Sequence, residues 1–337
     1  MATVHFVGSV ALDTPSQVFA VIGEHCGPYL KRVPDGEPGG RRLWISWQIP
    51  VLRANPALTP LEGTMGPQVP LKLADGVQPE AIHWGELGYA REARPGYEDF
   101  LKARTAGQLP ESVRFQVALP TPWAVIMSFC QQPDARQIYP GYERAMLQEL
   151  DRICEVIPHR DLAIQWDVCI EMVAWDGRWP VAPPFPGMER VFAEIFGRLG
   201  GSVPPDVELG FHLCYGDYDA RHFVEPTDAS KMVELANLIA RSVPRPITWM
   251  HMPVPIDRTD EAFYIPLQEL QLGTDTELYL GLVHAQDGVP GTLRRIQSAR
   301  KYVPRFGIGS ECGISRGRDV DLALNFIETY AGAAAAM

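Results

Sequence analysis

Val207–Met250 reads VELGFHLCYGDYDARHFVEPTDASKMVELANLIARSVPRPITWM, and three of its parts decide the fold. Val207–Cys214 (VELGFHLC) is a short apolar run that predicts a strand. Asp228–Ser242 carries apolar residues at helical spacing behind Asp228, a good N-cap. Ile247–Met250 predicts the next strand. Strand, amphipathic helix and strand form a βαβ unit, and such units build parallel sheets.

The alternation continues outward from this stretch. Leu162–Asp167 predicts a strand and Met188–Leu199 a helix. Leu278–Val283 is a strand, Gly291–Tyr302 a helix, Phe306–Gly309 a strand and Val320–Tyr330 a closing helix. Upstream, Val4–Val7, Val113–Leu119 and Trp123–Met127 read as strands. Residues 50–110, rich in Pro and Gly, read as a long excursion before the barrel resumes. The expected fold is α/β: a single (β/α)8 TIM barrel over residues 1–337, forming one catalytic domain. A chain of 337 residues is ordinary for that fold with enlarged loops.

Composition narrows the function classes. The formal charge of -11 and the lack of a basic stripe argue against nucleic acid as a partner. No run approaches the roughly 18–20 apolar residues that span a bilayer. Met1–Val10 lacks the charged flank of a signal peptide, so a cytoplasmic enzyme with no membrane partner is expected. The six cysteines are widely and irregularly spaced, which suits thiols and thiolate ligands better than a disulfide framework. Cys26, Cys130, Cys154 and Cys169 read as core cysteines. The oligomeric state is left open, with a homodimer among the options.

Polar residues gather where the predicted strands end. Asp167, His212 with Cys214, His251, His284 and Cys312 each close or follow a strand. In a (β/α)8 barrel these ends form the rim that carries the chemistry. His212 and Cys214, two apart on extended chain, face the same side. With Cys312 they make a three-ligand set suited to zinc, which leaves a fourth position open.

The surroundings of these residues resemble the C-terminal catalytic barrel of cobalamin-independent methionine synthase, within the superfamily that also holds uroporphyrinogen decarboxylase. Gly210–Gly216 (GFHLCYG) is similar to that family's His-x-Cys zinc strand. Ser310–Arg316 (SECGISR) is similar to the segment that carries its last zinc cysteine. Ala163–Asp167 (AIQWD), Gly36–Pro38 (GEP), Gly8–Ser9, Pro120–Pro122 (PTP) and Gly281–Val283 (GLV) follow in the family's order. The resemblance runs from about residue 4 to 320, as a one-barrel relative. It implies Zn2+ held by His212, Cys214 and Cys312, with Asp167, Glu37 and Ser9 anchoring the polar tail of a thiol substrate.

The departures are specific. The family's zinc-ligating Glu is missing from ITWMHMPVP (Ile247–Pro255), where His251 is the available substitute. In VHAQDG (Val283–Gly288), His284 stands where the family has Asp, and Gln286 near its catalytic His; Asp287 is a further candidate. The folate-stacking Trp is Met127. These changes point away from methyltetrahydrofolate as donor.

The expected activity is a zinc-dependent S-methyl or alkyl transfer between two small molecules, a thiol acceptor and an alkyl donor. His284 is the expected acid for the leaving group. Two alternatives stay open. One is a metal-free decarboxylase or lyase, for which Arg41, Arg42 and Arg316 are the candidate arginines. The other is a zinc- and ligand-binding relative without turnover.

Overall fold

The computed structural model describes residues 2–62, 69–217 and 221–337. Eight parallel strands form the barrel: β1 (Val4–His5), β2 (Arg32–Pro34), β3 (Arg114–Pro120), β4 (Leu162–Val168), β5 (Glu208–Leu213), β6 (Trp249–Pro253), β7 (Glu277–Val283) and β8 (Gly307–Ser310). Each pairs with its neighbour in sequence from β2 to β8, and β1 pairs with β8. The ring closes where Val4 bridges Leu30, just before β2. Helices between the strands cover the outside, as a parallel sheet requires. The sequence-based fold is therefore the observed one.

Two features expected from sequence differ in the structure. Trp123–Met127 is not a strand; it lies inside the helix Pro122–Phe129. Thr121 caps that helix through its hydroxyl, which accepts from Ala124 N at 3.1 Å, and Pro122 takes the first turn. These start signals outweigh a short apolar run, which alone does not separate a buried helix from a strand. Asp228 does not cap its helix, which spans Ser230–Ser242; its carboxylate instead accepts from Ser230 N at 2.8 Å. The excursion holds more order than its composition suggests. Leu58–Pro60 pairs antiparallel with Leu71–Leu73, and Tyr89–Thr105 is a helix leading into β3.

The barrel interior changes character along its axis. Near the N-terminal ends of the strands, buried Arg32 bonds to Glu208 and, at 3.0 Å, to Glu277, with its guanidinium 4.3 Å from the Trp249 ring. Trp249 fills the space left by Gly210, where a Cβ would lie 1.9 Å from the indole. Higher up, His5 Nε2 lies 2.8 Å from Gln165 Oε1, and Gln165 Nε2 donates to Val7 O and to Asp167 Oδ1. Polar groups thus lead up to the C-terminal rim.

The closing helix Val320–Ala336 fastens the seam. Its Tyr330 hydroxyl accepts from Ser310 N at 2.5 Å and lies 3.0 Å from His5 O, holding β8 against β1. Among the described residues, no helix is long and apolar enough to cross a membrane.

Candidate metal centre

The strand register sets the candidate residues side by side. Asp167 on β4, His212 on β5 and His251 on β6 are direct partners along one rung. Cys214 follows β5, His284 follows β7 and Cys312 lies just past β8.

His212, Cys214 and Cys312 offer ligand atoms that all lie within 4.8 Å of one another. The two sulfurs are 3.7 Å apart. His212 Nδ1 is 2.8 Å from His251 Nδ1, while its buried Nε2 has no protein partner. A buried ring nitrogen without a partner is costly unless something outside the protein completes it. Burial, then the neighbouring His251, holds His212 well below the usual histidine range, so the ring is neutral, as a metal ligand must be. Interaction with the Cys169 side chain, opposed by Cys312, leaves Cys214 well above the ordinary thiol range. Contact with Cys214 and burial do the same to Cys312. One neutral imidazole and two thiols set to lose their protons to a dication fit zinc. His251 stands behind this group, bonded to His212.

Asp167 and Glu37 meet on the other flank, at a narrow cavity of about 30 Å³ also lined by Trp44 and Arg41. That is room for about one water-sized or ammonium-sized group. Burial raises Asp167 to about 7, against bonds from Gln165 and Trp44, whose Nε1 donates at 3.2 Å. Burial and the nearby Asp167 raise Glu37 to about 8. Both carboxyls would be stabilised by a cation entering between them. Ser9 reaches the metal-side loop: Ile314 N donates to its carbonyl at 2.7 Å, and a Cβ on Gly313 would lie 2.2 Å from its hydroxyl. Arg316, 6.0 Å from the Trp44 ring, acts on Glu37, Asp167 and His212, and on Cys169, Cys214 and Cys312.

Beyond Cys312 opens a larger cavity of about 460 Å³, lined by His222, His284, Gln286, Glu311 and Arg318 among others. His284 Nε2 lies 2.9 Å from Val254 O, and a carbonyl only accepts, so the ring proton sits there. Nδ1 is left as a lone pair, 3.7 Å from Glu311 Oε2. Burial, then Arg295, lowers His284 to about 3. Burial lifts Glu311 to about 7, and its other oxygen is 3.5 Å from His222 Nε2. His284 therefore offers the cavity an acceptor, with Glu311 beside it. Asp287 is held by Arg295 at 2.7 and 2.8 Å. Sequence reasoning missed Glu311 and His222. The signal for Glu311 was its place beside Cys312; His222, on a loop, gave none.

No protein-family profile matches the sequence, and no curated protein is significantly similar to it. Solved structures do match. A candidate vitamin-B12-independent methionine synthase from Listeria monocytogenes superposes with a TM-score of 0.56 at 14% identity, covering 94% of this chain and 86% of that one. A B12-independent methionine synthase from a Shewanella species, in complex with selenomethionine, gives 0.50 at 12% identity, covering 79% and 68%. The likeness is one of fold. This chain shares the (β/α)8 barrel architecture of those two proteins.

Proposed function

We propose that this protein is a zinc-dependent alkyltransferase that moves a methyl or small alkyl group from a donor to a substrate thiol. The observation that carries the reading is the triad of His212, Cys214 and Cys312 at the barrel rim, whose ligand atoms lie within 4.8 Å of one another, with His212 Nε2 buried and unpartnered. Zinc bound there would strip the proton from a thiol and leave a thiolate still able to attack carbon. Two thiolate ligands fit this role better than hydrolysis, for which His and carboxylate ligands are commoner.

The chain's own residues then divide the work. His251 fixes the tautomer of His212. Asp167 and Glu37 receive a cationic tail, such as an ammonium, in the narrow cavity, and Ser9 binds a carboxylate beside it. The larger cavity beyond Cys312 admits the alkyl donor, with Glu311 and His284 facing it, and Met127 in place of the folate-stacking Trp points away from methyltetrahydrofolate. The decarboxylase reading draws less support: of its three candidate arginines, Arg41 is bound to Asp35 and Arg42 to the carbonyl of Leu12, leaving Arg316.

Metal content is the test. Plasma mass spectrometry of the purified wild type should find about one zinc per chain, lost in Cys312→Ser. A zinc-free wild type, purified without chelators, would overturn the reading.

A further inference from the structure

Cys169 reads as a core cysteine in the sequence, yet its surroundings tie it to the metal centre. The β4–β5 register pairs Asp167 with His212 and Val168 with Leu213, so Cys169 and Cys214 occupy the next matching positions. Cys214 N donates to Val168 O at 3.0 Å, carrying the pairing up to Cys169 itself. The Cys169 side chain interacts with that of Cys214, and Arg316 acts on the sulfurs of Cys169, Cys214 and Cys312 together. Cys169 is only 1% exposed and lies at the start of the short helix Ile170–Asp176, where the chain has left the strand. It stands outside the three whose ligand atoms close within 4.8 Å. Its neighbour Cys214 already belongs to that group, so joining the shell needs a side-chain adjustment and no change of strand pairing.

We propose that Cys169 supplies a third thiolate to the metal in the substrate-free protein, completing a tetrahedral shell with His212, Cys214 and Cys312. This rests on the zinc reading above and adds the fourth ligand to it. A Cys3His shell is a closed four-coordinate site, so a substrate thiol must displace a ligand to enter. Cys169 is the one displaced: the incoming sulfur takes its place on the metal, and the thiol's proton passes to the departing Cys169 sulfur. Bonds, charge and protons balance, and the count of sulfurs on the metal stays the same.

The test counts sulfur. The Co2+-loaded protein should show thiolate-to-metal charge-transfer absorbance for three thiolates, falling by about one third in Cys169→Ser with one metal per chain retained. A small thiol should restore that absorbance in the variant and leave the wild type unchanged. Cys169→Ala serves if the serine variant does not fold. X-ray absorption at the zinc edge of the unaltered holoprotein needs no variant: three sulfurs are expected, and two would overturn the proposal. Absorbance unchanged in a folded, metal-loaded variant would overturn it too, while leaving the zinc reading intact. A wild type that holds no metal would remove both.

Discussion

Nδ1 of His212 and Nδ1 of His251, on neighbouring strands, lie 2.8 Å apart, and only one proton fits between them. For Nε2 of His212 to offer a lone pair, that proton must belong to His212, with His251 as acceptor. His251→Phe removes the acceptor. Zinc affinity should fall by about 10–100-fold, as is typical when a ligand's supporting partner is lost. Competition with a chromophoric chelator measures this, and an unchanged affinity would show that the pair orients nothing.

Glu37 gives a pH signature. Burial raises its folded value to about 8, from an ordinary value of 4.5. A group raised in this way contributes stability that is full below the unfolded value and is lost as pH rises through the folded one. Gln mimics the protonated form at every pH. Glu37→Gln should therefore gain on the wild type between about pH 4.5 and 8, by more than about 1 kcal/mol. Urea unfolding at pH 5.5 and 8.5 tests it; a difference independent of pH would contradict the assignment.

Arg32 separates stability from chemistry. It lies at the opposite end of the barrel from the candidate metal ligands, buried between Glu208 and Glu277. Arg32→Met leaves Glu208 to Arg114 and Glu277 to Lys31 and removes only the bonds that Arg32 makes, so it should cost about 1–3 kcal/mol. Zinc stoichiometry of the folded fraction should stay unchanged. Loss of metal without loss of stability would refute this division.

Gly313 is a packing constraint on the site. A methyl group there would lie 2.2 Å from the Ser9 hydroxyl. Gly313→Ala should destabilise by about 1–3 kcal/mol, the usual range for overpacking. Ser9→Gly should recover part of it, since the clash with the Ser9 backbone remains. A double-mutant cycle by thermal unfolding reads the coupling, and strict additivity would argue against the contact.

The rim was legible in the sequence because apolar runs ended on residues with no reason to be apolar: Asp167, His212, His284. The pairing of Cys214 with Cys312 was legible through two motifs and their order. Other features left no such trace. β2 is three residues long and ends on Pro34, too short for periodicity to register. The Trp123 run has strand-like composition, and its helical state depends on the cap at Thr121. Cys169 sits beyond a strand end like the ligands, but only the cross-strand register brings it to Cys214. The convergence of His222 on Glu311 depends on loop paths, which residue spacing does not encode.

Tyr330 gives the centre a history as well as a shape. The candidate ligands His212 and Cys214 come well before Cys312 in the chain, and the last helix helps hold the strand before Cys312 by bringing Tyr330 onto Ser310 and His5. During synthesis these candidate residues therefore emerge before Cys312 can join them. On the proposed zinc reading, an ion would find its full set of donors only once β8 and the segment after it are in place, so metal capture would report a late stage of folding.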